Sequence, residues 1–591
     1  MNEFVDYLNT TNNVSGNSTG SLAESQVKSS FYEHVKVDRK LGDFIVDCVA
    51  SGNHHAFILT GHAGDGKTSI LVQVLRKMDK LKKGDSLSIE KEYSDFLYVK
   101  DMSEIPEKKQ VDSLDKVLKA PMTGKTSLLI SNTGPLLKAF DSLVNKIRVS
   151  EGKTYSDKEK MELQSTLLSQ MDTNKDSEIT IEGLSFYLIN IARIDNVQFS
   201  KIILKKIIDP QLWVACSSCS KNMECPIKNN QFIVSQNYDR VSSFIEGYYR
   251  YLYENDKRMT IRQMVGQISY AITGNLSCQN ILIRDLREPL FNYNFANLFF
   301  GYIGLKPERD SIQIKGIEEI QNLGLDHIAL DVDYQLFVRQ DYSCFPQNIA
   351  VELKEMSQRY RYYFQVTEEQ LQEDKEQEEE IRLRCSIRRF YLMFSLCENK
   401  AQISHILDQI FGVSFTEYCD LILSKQDTLT LNKMRKKIFD ALYIKNTGMA
   451  ANNDTNLPLT LRREDDVFQN VMIIMGELDI RKLKVTQVEV HNKFEDLENK
   501  FDLYLTFGPK KFKLSFPMIT YFNNLINGAI SSNNNPALTH GIAQLDTLLL
   551  EQFGNDILNP EDGRELKVII NTTKGQNTKI FSFDGGKLEI Q

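Results

Sequence analysis

No stretch of the chain approaches the roughly 20 consecutive apolar residues that a membrane-spanning helix requires. The first residues have neither the basic flank nor the apolar core of a signal peptide. The expected address is the cytoplasm, with no membrane partner. Cysteine is sparse, nine in 591 residues, which excludes a disulfide scaffold, because a reducing compartment would not keep such pairs closed. Cysteines that cluster are therefore metal candidates. Positive charge is not in excess: 71 Lys and Arg stand against 79 Asp and Glu, a net charge of −8. The overall field repels phosphate, so DNA would be met indirectly or through a local basic face, and a nonspecific DNA coat is excluded. No internal repeat and no nuclease, protease or deaminase constellation is present.

What is present is an ordinary globular composition, 41% hydrophobic and 25% charged, with enough apolar residues to fold almost throughout. The length predicts roughly three to four domains. Residues 1–27, dominated by Asn, Ser, Thr and Gly, read as a flexible polar tail. From Phe31 a helical pattern through Leu41, Phe44, Ile45 and Cys48 leads to the apolar run 56–59. A helix with Ile70, Leu71, Val74 and Leu75 on one face follows. Further apolar runs at 96–99, 127–130 and 186–189 alternate with helical spacing, as at Val111, Leu114, Val117 and Leu118. This alternation predicts an α/β domain with a parallel sheet flanked by helices over 28–205. After Asn196 the pattern turns helical. We read 206–305 as a cysteine-containing loop and helical lid, and 306–460 as a helical domain whose acidic run, 368–380, is a solvated face. Residues 461–591 read as a mainly helical α+β domain ending in β-hairpins.

The chemistry concentrates after the first strand. Gly61, His62, Ala63, Gly64, Asp65, Gly66, Lys67 and Thr68 match G-x-x-x-x-G-K-[ST], with the strand before and the amphipathic helix after that the motif requires. Glycines let the backbone wrap phosphates so that N–H groups and the positive helix end face the anion, with Ser69 continuing the cradle. Lys67 would bridge the β- and γ-phosphates, and the Thr68 hydroxyl would hold Mg²⁺, a hard cation that prefers oxygen. The bland alternative, a glycine turn with a chance Lys-Thr, has neither flank to recommend it. The motif predicts a P-loop domain that binds ATP with Mg²⁺.

Hydrolysis needs a second carboxylate on the Mg²⁺ shell and a group to activate water. At the end of the second strand, Asp101 is the candidate metal-binding acid and Glu104 the candidate base, against the alternative of ordinary loop acids. Asn132, after the third strand, would contact the γ-phosphate or the water, or simply form a turn before Gly134. Arg262 opens an amphipathic helix carrying Met264, Val265, Ile268 and Ile272, a placement that suits a lid arginine. Arg148 and Arg193 read as surface arginines.

Cys216, Cys219 and Cys225 fall in one short loop beside Trp213, the only tryptophan. With Cys278 they would complete a tetrahedral structural Zn²⁺ site; the alternative is four free or buried thiols. Residues 172–176 imitate the start of a Ca²⁺ loop, but Ser177 and Gly183 stand where its glycine and bidentate glutamate belong. No calcium is assigned.

The order of these parts resembles a bacterial group of P-loop ATPases near the AAA+ and STAND proteins. It comprises the glycine loop, the Val-Lys-Asp-Met-Ser-Glu strand end, Ile-Ser-Asn, the cysteine loop and Thr260-Ile261-Arg262-Gln263. Within that group it is similar to the DptF-type ATPase subunits of phosphorothioation-dependent DNA restriction systems, over about residues 30–300. The resemblance implies an ATP-hydrolysing, oligomeric component of an antiphage defence complex, working with separately encoded subunits in homo- or hetero-oligomers. It assigns Arg262 the role of an AAA+ lid arginine. Two readings stay open: an ATPase engine for DNA transactions, and a nucleotide-switched scaffold or sensor with little turnover. A small-molecule kinase ranks last, for want of an acceptor site.

Overall fold

The computed structural model describes residues 1–12, 29–82, 84–283, 290–366, 373–451, 454–461, 470–529, 535–554, 565–572, 575–584 and 587–590. The chain divides into two compact units. The first comprises Met1–Tyr253, Lys257–Ile406 and His491–Glu498; the second comprises Glu254–Asp256, Leu407–Val490 and Asn499–Gln591. No helix among the described residues is long and apolar enough to cross a membrane.

The first unit is built on a six-stranded mixed sheet: β1 (Ala56–Thr60), β2 (Glu90–Glu92), β3 (Phe96–Val99), β4 (Thr126–Ile130), β5 (Ile179–Ile181) and β6 (Leu184–Asn190). The order is β2-β3-β4-β1-β6-β5. β3, β4, β1 and β6 are parallel, and β2 and β5 are antiparallel edges. The helices that concern this sheet are α1 (Glu3–Asn12), α2 (Lys40–Ser51), α3 (Lys67–Lys77), α4 (Glu107–Lys119), α5 (Thr133–Ser150) and α6 (Asp157–Thr173).

All of β1 is buried, as befits a strand with neighbours on both sides and helices on both faces. Because side chains alternate along a strand, the same strands feed two cores. Phe57, Leu59, Tyr98, Leu128, Ile130 and Ile189 join Leu41 and Ile45 of α2 and Ile70, Leu71 and Val74 of α3. Ile58, Leu97, Val99, Leu129, Phe186 and Leu188 join Leu114 and Val117 of α4, Phe140 and Leu143 of α5 and Leu167 of α6. Each fully buried Leu, Ile or Phe contributes about 1.5–3 kcal/mol, so this layered packing fixes where the strand ends stand.

The expected polar tail is corrected over its first part. Glu3–Asn12 is a helix with Phe4, Val5, Tyr7 and Leu8 buried, and Phe4 meets Trp213 edge-on with ring centroids 5.8 Å apart. Its asparagines are anchors. Asn9 Nδ2 donates to Leu276 O at 2.9 Å, and Asn12 Nδ2 to Asn275 Oδ1 at 2.8 Å. Residues 13–28 lie outside the described residues.

Beyond β6 the first unit is mainly helical, and three helices matter below: α7 (Pro226–Gln236), α8 (Tyr238–Glu254) and α9 (Ile261–Thr273). A two-residue hairpin, β7 (Tyr302–Ile303) with β8 (Lys306–Pro307), interrupts the later helices. Residues 368–372 of the acidic run lie outside the described residues; further on, Glu378 and Glu379 pair with Arg382, as expected of a solvated helix face.

The second unit carries an antiparallel sheet in the order β16-β15-β14-β10-β9. Its strands are β9 (Asn456–Leu461), β10 (Val471–Asp479), β14 (Glu565–Thr572), β15 (Gly575–Asp584) and β16 (Lys587–Ile590). A three-stranded sheet joins β11 (Leu483–Glu489), β12 (Phe501–Phe507) and β13 (Lys510–Lys513). The β14–β15 and β15–β16 pairings are the hairpins expected at the end; Gly585 and Gly586 of the expected last turn lie outside the described residues. Strand structure begins at Asn456, inside the segment expected to be helical, because alternation in a six-residue run is too short to stand out.

One segment crosses the boundary expected from sequence. Residues 491–498, between β11 and β12, belong to the first unit, where Phe494 is fully buried with Phe44 and Tyr187. Lys40 N and Arg39 Nε both donate to the Asp496 carboxylate, and Asp195 N donates to Glu495 Oε1 at 3.1 Å.

Candidate functional site

Parallel strands present their C-terminal ends on one edge of the sheet, and a crevice opens there where consecutive connections diverge to opposite sides. β1 lies between β4 on one side and β6 on the other, both of which follow it in sequence. The edge carries Gly61 after β1, Lys100 and Asp101 after β3, and Ser131 and Asn132 after β4. Of these, Lys100, Asp101 and Asn132 line a cleft of about 420 Å³, together with Gly64, Thr68, Ser69, Glu104 and Arg262.

The loop from Gly61 to Lys67 is held open by its own bonds. Asp65 is fully buried; its Oδ2 accepts from His62 N at 2.7 Å and its Oδ1 pairs with Arg258. Gly64 has φ 90° and Gly66 φ 92°, left-handed backbone that favours glycine. At Gly64 space adds a second reason, since a Cβ would stand 3.0 Å from Thr260 Oγ1 and 3.3 Å from Arg262 Cβ. Glycine there lets the turn before α9 close directly on the loop, where Arg262 N donates to Gly64 O at 3.4 Å.

Lys67 opens α3 and folds back on its loop: Nζ donates to Gly61 O at 2.7 Å and to His62 O at 2.9 Å. Burial pushes its ammonium down, Asp65 and Asp101 hold it up, and Arg262 pushes it down again. Burial likewise pushes the Arg262 guanidinium down. Among the described residues no carboxylate forms an ion pair with either cation. His62, Ala63, Gly66, Thr68 and Ser69 complete the loop's share of the lining; the Tyr32 phenol oxygen accepts a hydrogen bond from Ser69.

The two candidate acids lie in the same cleft but are partly engaged. Asp101 Oδ1 caps the following turn, accepting from Ser103 N at 2.8 Å and Ser103 Oγ at 2.7 Å, with Oδ2 left over. Glu104 is tied to Lys100 at 2.9 Å, which weakens its candidacy as a base. Asn132 stands at the N-cap of α5 without using its side chain as a cap, so its amide is available to a ligand. The hard oxygens of Thr68 and Asp101 share the cleft and suit Mg²⁺.

Arg148 pairs with Glu159 and Glu182, and Arg193 with Asp172, all away from the cleft lining. The Ca²⁺-like loop is used otherwise: Asp176 Oδ2 accepts from Lys493 N at 3.3 Å. Sequence reasoning missed Arg258, although it lies four residues before Arg262 and at the entry to the same helix. It also missed the opposite wall, Tyr7, Thr11, Tyr32, Val35, Lys36 and Arg39, all of which come from residues read as tail or as generic helix.

The four cysteines, Cys216, Cys219, Cys225 and Cys278, are all free thiols of intermediate exposure. Their sulfurs do not form a tight metal cage. Among the described residues the only His, Cys, Asp or Glu group with ligand atoms within 4.8 Å of one another is Asp326, His327 and Cys385. There Asp326 is already paired with Arg389 at 2.7 Å, and the Arg388 and Arg389 guanidinium groups stand beside Cys385. Two fixed cations make this a poor seat for a third.

Comparison with family models, curated proteins and solved structures found no match for this chain.

Proposed function

We propose that the first unit is a P-loop domain that binds ATP with Mg²⁺ and hydrolyses it. The observation that carries this reading is the pair Lys67 and Arg262, two cations in one cleft, neither ion-paired with a carboxylate among the described residues, beside the N-terminus of α3. A cleft that holds desolvated positive charge and helix-end N–H groups is electrostatically matched to a polyphosphate. The strand order supports it: the strand beside β1 ends at Asn132, and the next one ends at Asp101. Asn132 and Asp101 thereby follow two successive strands on one side of β1.

In this reading Lys67 turns from the Gly61 and His62 carbonyls to the phosphates, and Arg262 brings the α9 helix onto the terminal phosphate. Thr68 and Asp101 would hold Mg²⁺, which supplies charge neutralisation at the phosphates. Asn132 orients water, and Glu104 accepts its proton only if it leaves Lys100. That ion pair favours the second reading, a nucleotide-switched protein with slow turnover. On the resemblance of the motifs, the wider role is that of an ATPase subunit in a DNA-directed defence complex, acting in homo- or hetero-oligomers with partner subunits, and meeting DNA indirectly or through a local face.

Steady-state ATP hydrolysis and equilibrium ATP binding by the wild type and Lys67→Ala, with and without duplex DNA, test the proposal. Binding lost in Lys67→Ala together with turnover raised by DNA supports the engine. Tight binding with negligible turnover supports the switch. An unmodified chain that binds no Mg²⁺-ATP overturns both.

A further inference from the structure

The chain has nine cysteines, and two from distant segments, Cys216 of the loop that also carries Cys219 and Cys225, and Cys278, meet at one residue, Asn2. Cys216 and Cys219 flank a tight turn closed by Cys219 N on Cys216 O at 3.2 Å. Cys225 is the N-cap of α7, with Pro226 at the next position, and the N–H groups of Ile227 and Lys228 point at its sulfur. Cys278 begins the short helix Cys278–Ile283, far along the chain. One residue joins two of them: Asn2 Nδ2 lies 3.5 Å from Cys216 Sγ, and Cys278 Sγ lies 3.9 Å from Asn2 O. Burial first, then the neighbouring Cys216 and Cys278, pushes the Cys225 thiol up, so these three sulfurs are within electrostatic reach of one another.

We infer that Cys216, Cys219, Cys225 and Cys278 hold a structural Zn²⁺ ion that staples the N-terminal helix α1 to the helical part of the first unit. Four thiolates are a complete donor set for a closed tetrahedral site. Amides aimed at Cys225 and the Asn2 side chain at Cys216 are the outer contacts such ligands use, because they stabilise sulfur in its charged form. Bound cation charge would draw the sulfurs inward and deprotonate them. The staple has a purpose in this fold. Met1 is exposed, and Asn2 stands between the cysteines and Leu212 O, to which its Nδ2 donates at 3.0 Å. The helix that starts one residue later buries Phe4 against Trp213, which precedes Cys216 by one short turn. An ion at the four sulfurs therefore fixes the first turn of α1.

The test is made on the full chain, purified without added metal or chelator. Elemental analysis is expected to find about one zinc per chain, nearly all of it lost in Cys225→Ser and Cys278→Ser, and Asn2→Ala should retain zinc about 10- to 100-fold more weakly. If the serine variants do not fold, Co²⁺ exchanged into the wild type is expected to give the visible bands and sulfur-to-metal charge transfer of a tetrahedral tetrathiolate site. Hydrogen exchange of residues 3–12 is expected to accelerate when the metal is removed with a thiol reagent and chelator. Absence of zinc with all four thiols freely alkylated, iron with labile sulfide in its place, or unchanged protection of residues 3–12 after metal loss would each overturn the staple.

Discussion

The ammonium of Lys67 donates to the carbonyl oxygen of Gly61 at 2.7 Å, so the loop's only lysine is bonded to the residue that opens the loop. A phosphate must compete with that bond and with the one to His62, which makes Lys67 the turning point of ligand entry. Lys67→Ala is expected to weaken Mg²⁺-ATP binding about 10- to 100-fold, the worth of one charge-assisted contact. Its melting temperature should stay within a few degrees of wild type, since the side chain is only half-buried. Calorimetric titration and a thermal melt check both halves.

Arg262 carries no carboxylate partner among the described residues and meets the glycine loop through its own backbone. If it receives the terminal phosphate, Arg262→Ala should weaken ATP by about tenfold and ADP much less. Arg262→Lys should recover only part, because a point charge does not replace the planar fork. Equal losses for ATP and ADP would place the guanidinium elsewhere.

Glu104 can serve as a base only when released from Lys100, 2.9 Å away. For an engine, Glu104→Gln is expected to lower turnover about 10²- to 10⁴-fold with ATP affinity unchanged. Turnover indifferent to that change would remove Glu104 from the chemistry. Lys100→Met is the companion variant, and a rise in turnover would identify the ion pair as a brake.

Arg39 and Asp496 form a buried pair; the guanidinium stacks on Phe199 with its carbon 5.0 Å from the ring centroid. Its Nη1 and Nη2 have no hydrogen-bond partner among the described residues. Removing the carboxylate strands a desolvated charge, so Asp496→Ala should cost about 3–5 kcal/mol in urea unfolding. The double variant Arg39→Met/Asp496→Ala should recover much of that loss.

Burial pushes the Glu352 carboxyl, on the helix Gln347–Val366, up to about 7, with Glu355 adding to it. The folded chain therefore keeps a proton that the unfolded chain releases near 4.5. Its contribution is fully present below that lower value and is lost as pH rises through about 7. Thermal melts of the wild type should fall between pH 5 and 8, and those of Glu352→Gln should fall less.

What could be read in the sequence was local. The strand at 56–60 and the helix after it have patterns spanning only a few residues, and the glycine motif sits between them, so loop, strands and candidate acids all fall in one cleft. The neighbours of β1 were not legible, because strand order is set by pairings such as Leu59 with Ile130 and Ile189 that no short window contains. The tail was misread for a different reason. Asn and Thr dominate residues 9–13, but Phe4, Val5, Tyr7, Leu8 and Thr11 share a buried face, and the asparagines bond to residues more than 260 positions away. Composition reports what solvates easily; it does not report which amide will find a carbonyl. Lys100, one residue past the apolar run at 96–99, is the partner that qualifies Glu104.

Phe494 sits in the sheet core of the first unit although it is made almost five hundred residues after the chain begins. Domains ordinarily fold as they leave the ribosome, N-terminal one first. Here that order fails: until residue 498 emerges, the first unit has a void where a phenyl ring belongs and an Arg39 without its carboxylate. Those two defects together are worth several kcal/mol, comparable with the ~5–15 kcal/mol that holds a whole domain folded. The nascent chain thus completes its sheet unit only after strand β11 of the other unit has been synthesised, and a protein truncated by a premature stop anywhere before 491 is released with its six-stranded sheet unit unfinished.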